Sequence, residues 1–580
     1  MSYLIVGALG LTALLNWEKL SSSHKGGLGI AVAIWVATLF LLNFQEAWLG
    51  LAFVALLSAA IGFMRNQQIR LSLLLSIIAL CLTLVGPWIP SFVTPQLEIR
   101  PDIGSTLEPA RQVLTSKRAL VGTGPGTFGY AFAQHRSDTL NITDFWNVGF
   151  SQGSSFALTA LTTLGVLGVL AWLFLYVAFF KRIRTHMGDP IVAGAALFAA
   201  FTGIALLVYV GFFVQLIFGA IALGIMSSLT GARKEISFKS NASWRLLIGF
   251  LALVIASAVT LAGAYFLGQK YIAAAYTGSG VRALSAGESD RAIEQLNIAN
   301  RLDTSDISLR FISQALMTKF QELVASASSE DDGQQAQSLI SLAVETATNA
   351  TTINPADSAN WSNLASIYES LTPLVEGTGD LALDAYSEAE KRDPQGPQWA
   401  LAKARTLGAQ ASFLERNEEE VGDIYERAQT EIERALTLKQ NYTAARFLSA
   451  QLSFRSGNVD RAIERAAEIR QQNPFDPGVA LQIGLLYYQN DQLAEARTEF
   501  LRAISLDANF ANARYFLGLT ESRLGDNDKA LSEFRWIAER NPDNEEVKKI
   551  IANLENGRAP LEGVAQPLES SETPVPEESQ

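Results

Sequence analysis

Long apolar runs separated by short polar connections fill the chain up to about residue 268. Runs of roughly 20 apolar residues have the length that an α-helix needs to cross a bilayer. The sequence predicts about eight such spans, at 2–16, 27–44, 47–63, 72–93, 155–180, 190–207, 209–228 and 246–268. The sixth and seventh runs are nearly continuous, so a re-entrant hairpin or one broken helix is an alternative for that pair. Residues 1–268 are therefore predicted to form a multi-span helical membrane domain.

From Lys270 the pattern changes to polar helices with a period of 34 residues. Small residues recur where two helices would cross closely, large residues fill the space between them, and proline ends the second helix. The clearest positions are Gly484, Tyr487, Ala496, Phe500, Ala503, Gly518, Ala530, Phe534 and Pro542, with weaker matches back to Ala292, Leu296 and Ala299. This pattern resembles the tetratricopeptide repeat, an α-solenoid of stacked helix pairs.

The resemblance implies an all-α repeat domain of about six helix pairs over residues 270–556. Such arrays present a concave groove that binds extended peptides or helices, so a protein partner is expected. Residues 557–580 are rich in Pro, Glu and Ser, a composition typical of a disordered acidic tail.

Charge separates the two halves of the chain. Residues 1–269 carry 16 Lys and Arg against 9 Asp and Glu, a net charge of +7. Residues 270–580 carry 29 against 48, a net charge of −19, and the two sums give the −12 of the whole chain. Nucleic-acid binding is driven by basic surfaces, so the acidic half argues against a nucleic-acid partner. One cysteine and three scattered histidines predict neither a disulfide nor a metal site, and no cofactor is expected.

Basic connections between the apolar runs predict the membrane topology. Residues 64–70, 181–187 and 233–245 are basic and are expected on the cytoplasmic side. This orientation predicts a multi-pass protein of the cytoplasmic membrane, embedded in the lipid bilayer, with the loop 94–154 and the repeats outside the cytoplasm. The start of the chain then also lies outside, which indicates either a missing upstream half or a miscounted first span.

A polar, glycine-rich stretch lies within this external loop. It reads Gly-Thr-Gly-Pro-Gly-Thr-Phe over 122–128, and an aromatic loop separates it from Leu-Gly-Val-Leu-Gly at 164–168. This arrangement resembles the O-antigen ligase and polymerase superfamily. The resemblance implies a glycosyltransferase that moves a glycan from a polyprenyl-diphosphate carrier to an acceptor outside the cytoplasmic membrane.

The chain departs from that family's pattern at two positions. Gly165 and Gly168 match the family's Gly-x-x-Gly, but the His that precedes it in the family falls on Ser154. An Arg that the family usually carries before the glycine motif falls on Gly104. The usual base and one usual cation are therefore replaced.

Neighbouring residues could supply the same chemistry. A lipid diphosphate requires guanidinium groups that neutralise and orient its oxygens, and an acceptor hydroxyl requires a base within hydrogen-bond reach. The predicted catalytic residues are His135, Arg136 and Arg111, and the predicted substrate-binding residues are Arg118, Gly122, Gly124, Gly126 and Trp146. The alternatives are a solvated loop for His135 and Arg136, a tight turn for the glycines, and a membrane-interface belt for the aromatic residues.

Two functions therefore remain open at the level of sequence. One is an envelope glycan ligase or polymerase with repeats that bind a partner. The other is a non-catalytic membrane-anchored tetratricopeptide scaffold. The replaced His and Arg favour the scaffold, and the retained glycine motif in an external loop favours the enzyme. A transporter is disfavoured because ionisable residues lie only near the predicted span ends.

Overall fold

The computed structural model of the chain describes residues 99–183, 243–326, 330–417 and 421–564, helix Arg70–Val85, and scattered positions at 48–63 and 192–227. The predicted spans 2–16 and 27–44 lie outside these residues, as does the tail beyond residue 564. The chain divides into two compact units, and each is described by itself. The first comprises Met1–Ser137 and Val148–Tyr265, and the second comprises Asp138–Asn147 and Phe266–Gln580. The described residues are all helical or irregular, without a strand.

The first unit contains four complete described helices and the beginning of a fifth. These are α1 (Arg70–Val85), α2 (Ile103–Thr115), α3 (Phe128–His135), α4 (Phe156–Ile183) and α5 (Ser243–Ser285). Asp102 begins α2 by accepting a 2.5 Å hydrogen bond from the backbone N–H of Ser105. Ala110 and Val113 of this helix are buried, whereas Leu107 and Leu114 lie on its exposed side.

Two described helical stretches are long and apolar enough to cross a membrane, namely Phe156–Phe179 and Leu247–Ser285. A third apolar stretch, Ser76–Val85, is shorter. Large apolar side chains on the two long stretches point outward; Phe174 is 74% exposed and Leu261 is 71% exposed. Exposing large apolar side chains to water is unfavourable, so these two helices are suited to contact with lipid. The remaining predicted spans stay predictions.

The second unit is a solenoid of antiparallel helix pairs, as the repeat pattern predicts. Its helices are α6 (Ser289–Leu302), α7 (Asp306–Ser326), α8 (Glu330–Ile353), α9 (Ser358–Leu371), α10 (Thr378–Arg392), α11 (Pro397–Arg416), α12 (Gly422–Leu438), α13 (Thr443–Arg455), α14 (Val459–Gln472), α15 (Pro477–Gln489), α16 (Leu493–Leu506), α17 (Ala511–Arg523), α18 (Asn527–Arg540) and α19 (Glu545–Glu555). The pairs are α7/α8, α9/α10, α11/α12, α13/α14, α15/α16 and α17/α18, with α19 packed against α18. Leu296 of α6 packs beside Gly280, near the end of α5.

The repeat positions explain how each pair closes. A Cβ on Gly484 would lie 2.5 Å from the ring of Phe500, and one on Gly518 would lie 2.8 Å from the ring of Phe534. The absence of a side chain at each glycine therefore lets the aromatic ring of the second helix reach the backbone of the first. Ala496, Ala503 and Ala530 are fully buried at the same crossings.

Candidate functional site

Helix α4 is broken at Gly165, and the glycine-rich stretch fills the break. Gly165 has φ 65° and ψ −165°, which is not helical. The carbonyls of Thr162 and Thr163 accept hydrogen bonds of 3.0 and 2.9 Å from the N–H groups of Thr123 and Gly124. The N–H groups of Val166 and Leu167 in turn donate to the carbonyls of Ala119 and Leu120 at 3.0 and 3.1 Å.

These four hydrogen bonds take the place of two backbone hydrogen bonds that an unbroken α4 would make. An unbroken helix would pair Val166 with Thr162 and Leu167 with Thr163, because each N–H donates to the carbonyl four residues earlier. Backbone groups freed in an apolar environment must find partners within the protein. Residues 119–124 supply those partners, so the glycine-rich stretch completes the hydrogen bonding of α4.

The close approach explains two of the glycines. A Cβ on Gly122 would lie 2.3 Å from the backbone carbon of Thr163, and one on Gly165 would lie 2.6 Å from the backbone of Gly122. Both glycines also have positive φ. Gly124 has an engaged N–H, whereas Gly126 is exposed with no atom within 4 Å of its Cβ position. The role of Gly122, Gly124 and Gly126 in substrate binding stays a prediction. The structure gives Gly122 and Gly124 a role in backbone packing and hydrogen bonding.

The predicted catalytic residues lie in the first unit with different degrees of burial. Arg136 is only 6% exposed, whereas Arg111 and Arg118 are exposed. Partial burial lowers the pKa of His135, and the carboxylate of Glu108 acts in the opposite direction. The imidazole of His135 is therefore mostly neutral at pH 7, which is the protonation state that a general base needs.

Ser154 and Gly104, which stand where the O-antigen ligase pattern has His and Arg, both have defined contacts in the first unit. Ser154 is 6% exposed, and its backbone N–H donates a 2.9 Å hydrogen bond to the Thr106 hydroxyl. Gly104 lies in the first turn of α2, beside the Asp102 side chain that caps this helix. Among the described residues, no group of three or more His, Cys, Asp or Glu could hold a metal ion.

Trp146, the remaining predicted substrate-binding residue, belongs to the second unit. Its ring meets the ring of Tyr442 edge-on, with the centroids 5.2 Å apart. The predicted site residues are therefore divided between two compact units, with Trp146 packed in the repeat array.

The repeat array contains a groove of about 470 Å³ formed mainly by the first helices of three successive pairs, α7, α9 and α11. Its lining is polar and aromatic and consists of Arg310, Phe311, Gln314, Ala359, Ser362, Asn363, Ser366, Tyr386, Gln398, Trp399, Leu401, Ala402, Arg405 and Tyr442. Helices α7 and α9 are joined across the groove by a 2.9 Å hydrogen bond from Gln314 to Asn363 and a 3.1 Å ion pair between Arg310 and Asp357. The groove therefore has a fixed polar floor.

Two polar groups of the groove-lining residues are buried without a hydrogen-bond partner in the described part of the chain. They are the indole N–H of Trp399 and the side-chain oxygen of Gln398. Buried polar groups are nearly always hydrogen-bonded in folded proteins. Both atoms lie beneath the surface, so exposed side chains such as Ser366 form the accessible polar part of the groove.

A larger cavity of about 790 Å³ lies between α12 and the connection of α13 to α14. Its charged residues largely satisfy each other: Arg461 pairs with Glu433, and Tyr425 donates to Glu415 at 2.8 Å. Burial raises the pKa of Tyr425 to about 12, so its hydroxyl remains a donor. The α7–α9–α11 groove is therefore the stronger candidate for binding.

Comparison with known proteins identifies the repeats. The tetratricopeptide repeat family model matches residues 416–477 and 481–545. The C-terminal region therefore contains tetratricopeptide repeats, which typically mediate protein–protein interaction. No curated protein matches the chain. The comparisons give no support to the resemblance to O-antigen ligases.

Solved structures similar to this chain are repeat proteins. A tetratricopeptide repeat protein from Parabacteroides merdae is 16% identical, covers 49% of this chain and 100% of its own, and has a TM-score of 0.33. PilF from Pseudomonas aeruginosa is 16% identical, covers 49% of this chain and 99% of its own, and has a TM-score of 0.26. YrrB, a tetratricopeptide repeat protein with an unusual peptide-binding site, is 20% identical, covers 35% and 95%, and has a TM-score of 0.22. The helix pairs themselves define the fold.

Sequence reasoning did not identify the groove residues. Gln314, Asn363 and Trp399 lie on first helices of their pairs, at positions that the repeat pattern does not constrain. The groove residues could have been sought on the first helix of each pair, because these helices line the concave face of such arrays.

Proposed function

We propose that this protein is a membrane-anchored scaffold whose tetratricopeptide repeats bind a protein partner in the α7–α9–α11 groove. In this proposal residues 1–268 anchor the protein in the cytoplasmic membrane, residues 270–556 bind the partner outside the cytoplasm, and residues 557–580 form a tail. The two apolar stretches Phe156–Phe179 and Leu247–Ser285 support the anchor. The basic connections of the sequence support the orientation.

The observation that carries the proposal is the polar, aromatic groove formed by the first helices of three successive pairs. A peptide segment presents backbone N–H groups, which can donate to accessible hydroxyls of the groove such as those of Ser362 and Ser366. Phe311, which is partly exposed, adds apolar surface for its side chains. A groove of this size holds a few residues of such a segment.

Position-specific photocrosslinking in cells tests the proposal. A photoreactive amino acid at Ser366, which lines the groove and is exposed, should give a covalent adduct with one defined protein. The matched position is Thr348, which is exposed on α8 and does not line the groove. Adducts of equal yield at both positions, or none at Ser366, would contradict a partner in the groove.

A second candidate is glycan transfer from a polyprenyl-diphosphate donor, with His135, Arg136 and Arg111 as the reacting and phosphate-binding groups. The observation that favours it is the burial of Arg136 next to a His135 whose pKa is lowered. A guanidinium held against phosphate away from water contributes a charge-assisted bond of about 1.5–3 kcal/mol.

Substitution tests this second function. Arg136→Ala and Arg111→Ala should each lower glycan transfer by about tenfold or more at unchanged protein level. His135→Ala should lower it by roughly a hundredfold if His135 is the base. Full transfer in all three variants, or no transfer by the parent protein with polyprenyl-linked donors, would contradict this second function and leave only the scaffold function.

A further inference from the structure

Residues 138–147 precede α4 in the sequence and yet pack against the repeat array, with Leu140 and Asn141 buried. They begin with a short 3-10 helix, Asp138–Ile142. The side chain of Asn141 is completely buried, and its Nδ2 donates to the backbone carbonyls of Gln395 and Leu438 at 2.8 and 3.1 Å. The Gln395 carbonyl lies just before α11 and the Leu438 carbonyl at the end of α12, so one amide group bridges the two ends of the α11/α12 pair.

A buried lysine of the array completes the contact. Lys439 is only 2% exposed, and its Nζ donates to the backbone carbonyl of Asn141 at 3.1 Å and to the side chain of Asn441 at 3.0 Å. The same Nζ lies 5.3 Å from the centre of the Trp146 ring, within the range of a cation–π interaction. A buried ammonium group is costly unless it is solvated by such partners. Residues 138–147 therefore supply part of the polar and aromatic environment that stabilises the buried Lys439.

Aromatic packing fixes the other end of the segment. Trp146 and Tyr442 pack edge-to-face at 5.2 Å with an angle of 63° between the rings. This geometry is favourable for aromatic pairs. Tyr442 is 8% exposed and also lines the α7–α9–α11 groove. The segment thus supports one wall of that groove.

We propose that Gln395, Leu438, Lys439 and Tyr442 form a second peptide-recognition site of the array, here called the seat. The seat recognises a short segment with Asn at one position and Trp five residues further on, and its ligand is residues 138–147 of the same chain. Two converging carbonyls require an NH₂ donor, which Asn has and Asp lacks. The seat shares Tyr442 with the groove, but its ligand is a different segment, and the proposal does not rest on a partner in the groove.

A peptide added in trans tests the seat. The full-length variant N141D/W146A, held in lipid nanodiscs, should release its own segment and leave the seat open. A fluorescent peptide with the sequence of residues 138–147 should then bind at least about tenfold more tightly than to the wild type, because the attached segment competes at high local concentration.

Matched peptides test the chemistry of recognition. The peptide with Asn141→Asp should bind about tenfold or more weakly, because the two carbonyls lose their donor and face a carboxylate. The peptide with Ile142→Ala should bind like the parent, since Ile142 is 74% exposed. Equal binding to wild type and open variant, no binding to either, or indifference to Asn141→Asp would overturn the proposal.

Hydrogen exchange provides a second measurement that does not depend on the double variant. In full-length W146A, the amides of residues 139–146 should exchange at least about tenfold faster than in the wild type, while those of α15 to α18 keep their rates. Unchanged exchange in residues 139–146 would show that Trp146 does not hold the segment in the seat, and it would overturn the proposal.

Discussion

At the scale of single residues, Gly122 and Gly165 depend on each other for backbone hydrogen bonding. The turn at residues 122–126 could be predicted from the sequence, because closely spaced glycines and a proline favour it. The break at Gly165 could not, because Gly165 lies in an apolar run whose pattern continues as one helix on both sides. The bonds between the two segments join residues 39 or 47 positions apart and leave no periodic signal in the sequence.

Replacing Gly165 with Ala should destabilise the first unit strongly. A Cβ there would meet the backbone of Leu120 and Gly122 at 2.6 Å, and its φ of 65° disfavours a side chain. We expect a loss of at least about 3 kcal/mol, seen as a lower midpoint of thermal unfolding in nanodiscs. Gly126→Ala is the matched control, since its φ is 76° but its Cβ position is open; it should cost only about 1–2 kcal/mol. Equal effects of the two substitutions would contradict the close packing.

The protonation of His135 gives a second prediction at this scale. Its pKa, measured by NMR and assigned with His135→Gln, should lie below the ordinary 6.5, because burial disfavours the charged imidazole. Glu108→Gln should lower the pKa further by removing the attraction of the carboxylate. Because the unfolded chain then binds protons more readily than the folded one, stability should fall as the pH drops from 6.5 through the folded-state pKa. A pKa at or above 6.5 would be evidence against the burial of His135.

At the scale of elements, the helix pairs in the structure extend over more of the chain than the recognisable repeat pattern in the sequence. The family model matches residues 416–477 and 481–545, whereas complete pairs extend back to α7. Early pairs keep the small residues at their crossings, such as the fully buried Ala343, Ala347 and Ala350, while the rest of their pattern has diverged. Small residues at the crossing thus suffice to place the helices, and the sequence predicted these pairs from them.

Glycines on two helices should respond oppositely to the same substitution. Gly518→Ala would bring a Cβ to 2.8 Å from the Phe534 ring and should cost about 1–3 kcal/mol through overpacking. Gly333→Ala in α8 meets no atom within 4 Å and should stabilise the helix by up to about 1 kcal/mol. Thermal unfolding of the full-length variants, followed by the helical circular dichroism signal, measures both. Effects of the same sign would contradict the described packing.

At the scale of the whole molecule, the sequence predicted a binding groove without its lining residues, and it could not predict the seat. Asn141 recognises two backbone carbonyls, and backbone groups carry no side-chain identity that a pattern could reveal. Trp146 was predicted to bind a substrate, and its neighbours in the structure are Lys439 and Tyr442. The eight-span topology remains a prediction at this scale.

A reporter fusion tests that topology. A reporter that is active only outside the cytoplasm, fused after Gly557, should be active, because the basic connections place the repeats there. The control fusion at residue 187, in a basic connection, should be inactive. Activity only in the cytoplasm after Gly557 would refute the external placement of the repeats.

The most direct test of the scaffold is the yield of the Ser366 photoadduct in two full-length variants and one control variant. Ser362→Trp fills the groove with a large side chain, and R111A/H135A removes the predicted chemistry of the loop. The account predicts that Ser362→Trp abolishes the adduct, whereas R111A/H135A and the control Thr348→Trp retain it at the parental yield. An adduct that survives Ser362→Trp, or that disappears in R111A/H135A, would contradict partner binding by the repeat groove.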